Sequence, residues 1–170
     1  MRPGTLRAMR NDSNRLAELR RLSILESAPE RAYDDITRAF AASLDVPIAM
    51  VNLLDAERDW FKSCIGLPHP ESPAATSFCE AFFGSAQDLI VVEDAATDAR
   101  FSAHPFVTGE PFIRFYAAAR LVVRGQTVGT LCAYGVEPKK IAPAQVEQLQ
   151  AMAHAVTELL EQRADLPATR

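Results

Sequence analysis

No run of apolar residues in this 170-residue sequence approaches the roughly 18 that a membrane-spanning helix needs. Positive charge is not in excess either: 18 Lys and Arg stand against 22 Asp and Glu, a formal charge of -4. Bulk nucleic-acid binding requires a basic footprint, and an anionic membrane surface requires a polybasic patch, so neither partner is expected. The N-terminus carries Arg2, Arg7 and Arg10 but lacks the apolar h-region of a secretory signal. Cysteine is scarce. Cys64, Cys79 and Cys132 are odd in number and widely spaced, which points to a reduced, cytoplasmic protein without a disulfide framework. The sequence holds no internal repeat, low-complexity tract, nucleophile–base string, metal motif or phosphate loop. His69, His104 and His154 are too far apart in the chain to suggest a metal site.

What is present suffices for one compact domain: 48% of the residues are hydrophobic. Residues 1–12 read as a flexible arm, 13–163 as the domain and 164–170 as a tail. Asp12, Ser13 and Asn14 offer caps for a helix running to about Glu26, with Leu16, Leu19, Leu22 and Leu25 as its stripe. Ser27 and Glu30 form a capping-box pattern for a second helix, which carries Tyr33, Ile36, Phe40 and Leu44 and stops before Pro47. Residues 47–55 alternate Ile48, Met50, Asn52 and Leu54 with Ala49, Val51 and Leu53. A strand apolar on both sides is covered on both sides. A second strand spans 59–65, and the proline-rich stretch 66–73 reads as a loop. Ser77 and Glu80 repeat the capping-box pattern for a short helix to Phe83. Strands follow at 89–92, 113–123 and 127–134, with an irregular stretch at 93–110. Pro143 opens a last helix whose main stripe is Val146, Leu149, Ala153, Val156 and Leu160, with Met152 at its side. This order predicts an α+β fold, one antiparallel sheet covered by helices.

Five strings occur in order: ILESAPERAYDDITR, VPIAMVNLLDAERDWFKSCIGL, TSFCEAFF, VVEDAATDARFSAHPFVTGEPFIRFYAAARL and VGTLCAYG. Together, over about residues 14–162, they resemble the GAF domains of bacterial sensor kinases and diguanylate cyclases. The resemblance implies a six-stranded antiparallel sheet with the first and last helices on one face. It places a ligand pocket under short helices and loops on the other face, and implies signalling by dimerisation. It implies no single ligand or cofactor, since such domains take cyclic nucleotides, haem, bilins, metals, small metabolites or nothing known. Bilin-binding relatives often carry Cys-His on the pocket helix, whereas here Glu80 follows Cys79. The cyclic-nucleotide signature of phosphodiesterase relatives is not recognisable. The chain then reads either as a sensor without an effector or as one domain of a longer protein, with a kinase or cyclase as the candidate effector.

The hairpin at Val123-Arg124-Gly125-Gln126 decides which residues face the pocket. A two-residue type I′ turn needs positive φ at both Arg124 and Gly125, which Arg resists; a three-residue loop with a bulge needs it at Gly125 alone and is preferred. That register sets Tyr116 opposite Cys132, Ala118 opposite Thr130 and Arg114 opposite Tyr134. Phe115, Ala117, Ala119 and Leu121 then share an apolar face with Gly129, Leu131 and Ala133. The face with polar groups becomes the pocket floor, joined by Asn52. The candidate ligand-binding residues are therefore Asn52, Arg114, Tyr116, Ala118, Thr130, Cys132 and Tyr134, with Cys79 and Phe82 from the short helix above.

Each has a plainer alternative. Tyr116 and Tyr134 are ligand contacts or rim aromatics, and Arg114 a ligand contact or the partner of Asp94, Asp98 or Glu110. Asn52 could serve a strand-end backbone group. His69 and His104 read as loop residues, His154 as structural and Trp60 as packing. Cys79 near a helix start meets free N–H groups that lower a thiol pKa, opposed by Glu80, or is simply a small buried roof residue. The leading function is a non-catalytic ligand-binding sensor; the alternatives are a thiol-based reductase of free methionine sulfoxide and a structural dimerisation module. Ile24, Met152 and Leu159 lie off the main stripes, which predicts exposed apolar surface on the first and last helices. A homodimer through residues 14–26 and 143–162 would cover it.

Overall fold

The computed structural model describes residues 3–165. Its centre is a six-stranded antiparallel sheet of order β3-β2-β1-β6-β5-β4. The strands are β1 (Ile48–Leu54), β2 (Arg58–Ile65), β3 (Glu71–Pro73), β4 (Leu89–Val92), β5 (Phe115–Val123) and β6 (Gln126–Gly135). Strand β3 lies within the stretch expected to be loop. Ser72 pairs with Asp59, and proline in so short an edge strand deprives the ladder of little. Every residue of β1 is buried, as expected for a strand with two covered faces.

The helices are α1 (Pro3–Arg10), α2 (Ser13–Arg21), α3 (Arg31–Leu44), α4 (Pro105–Thr108) and α5 (Pro143–Ala164). Helices α2, α3 and α5 cover the face that presents Ala49, Val51, Leu53, Phe115, Ala117 and Leu131. The opposite face presents Met50, Leu54, Tyr116, Ala118 and Cys132 beneath the 3₁₀ segment Phe78–Gly84 and the loops around α4. The expected separation of Tyr116, Ala118, Thr130 and Cys132 from Phe115, Ala117 and Leu131 is thus observed.

The turn that led to that separation is different. Val123 pairs with Gln126, leaving a two-residue turn with φ of 49° at Arg124 and 76° at Gly125. The matching twist of such a turn outweighs the reluctance of Arg. The bulge falls instead at Val128, between the pairs Leu121–Gly129 and Val122–Thr127. Tyr116 accordingly faces Tyr134, and Ala118 faces Cys132. The displacement is two residues, so every side chain keeps its face. Gly129 permits close approach of β1: a Cβ there would lie 2.2 Å from the Asn52 carbonyl oxygen.

Three helix boundaries also differ from expectation. Residues 3–10, expected as part of a flexible arm, form α1, and Arg10 is wholly buried. Helix α2 ends at Arg21 rather than near Glu26, because Arg163 of α5 donates to the Leu22 and Ser23 carbonyls and holds the chain out of helix. Ser27 makes no capping box with Glu30. Its hydroxyl donates to the Ile24 carbonyl and receives Lys62 Nζ, while α3 begins at Arg31. Lys62 reaches there through a bulge in β2 between the pairs Val51–Ser63 and Asn52–Phe61. Ile24, expected on an exposed flank, is fully buried; Met152 and Leu159 are half-buried against the helical core. His154 is exposed beside Glu158 rather than packed. The tail residues 166–170 lie outside the described residues.

The left-handed Arg124 makes the hairpin a site for gain. Arg124→Asn places a residue tolerant of that φ in an Asn-Gly turn, and we expect about 0.5–1 kcal/mol more stability. Urea unfolding at neutral pH checks it; an unchanged or lower midpoint would contradict the turn assignment.

Candidate functional site

Strand alternation brings Asn52 of β1, Asp59 of β2 and Thr130 of β6 to the face opposite α3 and α5, with Cys79 above them from the 3₁₀ segment. Cys79 Sγ lies 3.0 Å from Thr130 Oγ1, 3.1 Å from the Tyr116 hydroxyl and 3.6 Å from Asn52 Nδ2. Asn52 Nδ2 also donates to Asp59 Oδ2 at 3.0 Å. Buried polar groups require such partners, and a closed network rigidifies its surroundings.

The network ends on a cation. Arg10 donates from Nε to the Asp55 carbonyl and from Nη2 to the Arg58 carbonyl and Asp59 Oδ1, the last at 2.6 Å. Two residues after Arg10, Asp12 caps α2 by accepting from Arg15 N. Arg7 of α1 pairs with Glu80 Oε1 at 2.8 Å. Glu80, expected to cap the helix at Ser77, is drawn away by this pairing; the segment is 3₁₀, and the buried Ser77 hydroxyl finds no partner.

Beside this network is a cavity of about 300 Å³. Ile48 and Met50 of β1, Asp59 and Phe61 of β2, and Tyr134 of β6 form its floor. Leu67, His69, Glu71 and Ser72 close one side; Thr76, Ser77 and Phe78 form the roof; Phe106, Pro111 and Ile113 close the other side. His104 ties that roof together. Its Nδ1 accepts from Phe106 N and its Nε2 lies 3.1 Å from the Thr76 carbonyl, while burial lowers its pKa.

Of the residues expected at the pocket, only Tyr134 lines the cavity. Asn52, Cys79, Tyr116, Thr130 and Cys132 form the buried layer beside it, and Ala118 and Phe82 are packed in the core of that face. Arg114 precedes β5 and donates to the Val107 and Ile113 carbonyls instead of pairing with Asp94, Asp98 or Glu110. The physical reason is filling. Phe78 stacks on Phe101 at 4.9 Å and packs on Tyr116 at 5.3 Å, so the β5 side of the face is occupied and the open space lies over β1 and β2. Met50 and Ile48 were legible as neighbours of Asn52 on one strand face. Asp59, the one acid of β2 and a neighbour of Trp60 and Phe61, was the signal overlooked.

All three cysteines are free. Burial opposes ionisation of both buried thiols. At Cys79 the neighbouring Cys132 thiol and the Thr130 and Tyr116 hydroxyls outweigh burial and the nearby Asp59, and its pKa falls. Burial and the neighbouring Cys79 push Cys132 well up. Burial, and then the two thiols, hold the Tyr116 phenol well above its ordinary value.

The family model of the GAF domain matches residues 28–160. The chain belongs to the GAF domain family. This GAF domain is 35% identical over 148 residues to a cyclic di-GMP phosphodiesterase of Pseudomonas aeruginosa. The match covers 86% of the chain and 25% of that protein, so the chain spans about a quarter of its relative's length. The GAF domain of an Acinetobacter phosphoenolpyruvate-protein phosphotransferase superimposes with a TM-score of 0.66 at 18% identity, covering 94% of this chain and 99% of that one. A free methionine-R-sulfoxide reductase from Neisseria meningitidis, solved with its substrate, superimposes with a TM-score of 0.62 at 13% identity, covering 86% and 87%. At these identities the two structures share the fold.

Tyr116 supplies a test by pH. Its raised folded-state pKa stabilises the protein below the unfolded value near 10, and that stability is lost as pH rises above it. Tyr116→Phe removes the titration and one hydrogen bond. We expect the variant to be about 0.5–1.5 kcal/mol less stable near neutral pH. The deficit should shrink above about pH 10. Urea midpoints across that range decide; a constant gap would contradict a buried, neutral phenol.

Proposed function

We propose that this GAF domain is a non-catalytic sensory module that binds a small ligand in the β1–β2 cavity. The carrying observation is the cavity itself, about 300 Å³ with mostly apolar walls and a buried hydroxyl, Ser77 Oγ, without a partner. Small-molecule sites have this character: a concave apolar space with few polar groups to fix orientation. Similarity to part of a cyclic di-GMP phosphodiesterase supports a regulatory role beside an effector. A thermal-shift screen of small metabolites tests the reading. A binder at a hundredfold excess over its Kd adds about 2.7 kcal/mol, or about 5–10 °C for a chain of this size. Met50→Trp, which fills the floor, should abolish the shift while the protein stays folded; a shift that survives it would place binding elsewhere.

Signal transmission in this proposal runs through a homodimer formed by α2 and α5. Met152 and Leu159 give α5 a half-buried apolar flank, while Glu147, Glu158 and Glu161 face water. Light scattering at micromolar concentration should show a dimer that Met152→Glu or Leu159→Glu dissociates. A monomeric wild-type protein would refute this interface.

Chemistry at the thiols is the second reading. It is favoured by the fold shared with the Neisseria reductase and by Cys79 lying beside Cys132. Turnover of free methionine sulfoxide with thioredoxin as reductant, lost in Cys79→Ser, would replace the sensory reading.

A further inference from the structure

Resting on the reading of the cavity as a ligand site, we infer that it takes an uncharged ligand, a largely apolar molecule carrying one hydroxyl or carbonyl, and that Arg10 sets this preference. Two carboxylates stand in the wall, those of Asp59 and Glu71, and no Lys or Arg is among the lining residues. A phosphate ester would meet two carboxylates with no Lys or Arg facing it, the His69 ring being the one side-chain nitrogen among the lining residues, and would lose most of its hydration without replacement. The buried Asp59 carboxylate is engaged on both oxygens, and Glu71, at the exposed edge of the cavity, is engaged on one. Asp59 Oδ1 is taken by Arg10 at 2.6 Å and Oδ2 by Asn52 at 3.0 Å; Glu71 is taken by Arg58 at 2.6 Å. Among the lining residues, the buried side-chain polar atom without a partner is the neutral Ser77 hydroxyl under the roof; Asn52 Oδ1 and Arg10 Nη1 lack partners in the layer behind. Tyr134 adds a second hydroxyl, 4.0 Å from Cys79 Sγ. The walls otherwise offer Met50, Phe61, Leu67, Phe78 and Ile113.

Arg10 carries the specificity because it acts from behind the wall. Its side chain is fully buried, reaches Asp59 across a sequence separation of 49 residues, and belongs to a helix outside the 28–160 segment that defines the family. Remove its charge and Asp59 loses the cation bonded to it, leaving only the more distant Arg15 charge, next to open space. An amine entering the cavity would then supply the missing partner. The domain's N-terminal helix, rather than its pocket residues, decides which charge type is admitted.

The test uses three probes with one body: 2-phenylethanol, 2-phenylethylamine and 2-phenylethyl phosphate. Binding to the 170-residue chain is followed by ligand-observed NMR and by thermal midpoint. The wild type should bind the alcohol more tightly than the amine and should not bind the phosphate. Arg10→Gln should reverse the order of alcohol and amine, by about tenfold in their affinity ratio. Arg10→Lys, which retains the charge, should keep the wild-type order. Wild-type binding of the phosphate, or of the amine at least as tightly as the alcohol, overturns the inference without any variant. So does an Arg10→Gln ratio equal to that of the wild type in folded protein. Should none of the three probes bind at millimolar concentration, the ligand-site reading falls and this inference with it; a wrong order among binders removes the inference alone.

Discussion

A sheet with two apolar faces has to be covered twice, and the rest of this structure follows from that requirement. Strand β1 is buried along its whole length and lies between β2 and β6 at the middle of the sheet. One side is closed by regular helices, α3 and α5, whose apolar stripes fit the small residues Ala49, Ala117 and Ala133. The other side is closed by short helical turns and loops held by polar contacts. Irregular backbone packs less completely over a sheet than a helix does, and the cavity over β1 and β2 is the space left by that difference.

The polar layer on this second face has the opposite character. Asn52, Asp59, Cys79, Thr130 and Tyr116 are linked to one another, and Arg10 joins the network from α1, with Asn52 Oδ1 and Arg10 Nη1 left unpartnered. Breaking such a network at one member leaves its neighbours buried and unpaired, which is more damaging than the loss of a single contact. The polar layer therefore acts as a rigid partition. The open cavity lies on one side of it and the docked N-terminal helix on the other, with Asp59 touching both.

How far this could be read from sequence depended on the range of the interactions involved. The alternation in residues 48–54 and 115–121 depends only on neighbours along the chain, and it yielded the correct faces. The hairpin was misjudged from the intrinsic preference of Arg124, yet the register moved by two residues and period-2 alternation kept the facing intact. Helix α1 was invisible because Arg10 has its partners at Asp55, Arg58 and Asp59, far along the chain. The capping patterns at Ser27 and Ser77 failed for the same reason. Lys62 and Arg7 came from elsewhere to take one member of each pair. The location of the cavity was equally hidden, since it depends on Phe78 and Phe101 filling the other half of the face.

The pairing of β1 with β6 joins residues about eighty positions apart, whereas β1–β2 and β5–β6 join neighbours in the chain. The entropy of closing one long loop therefore falls on a single seam, and the local hairpins on either side can form before it is met. That seam runs through Asn52–Thr130 and Met50–Cys132, directly beneath the polar layer and the cavity floor. The strand pairing with the longest span along the chain is thus also the one that completes the site.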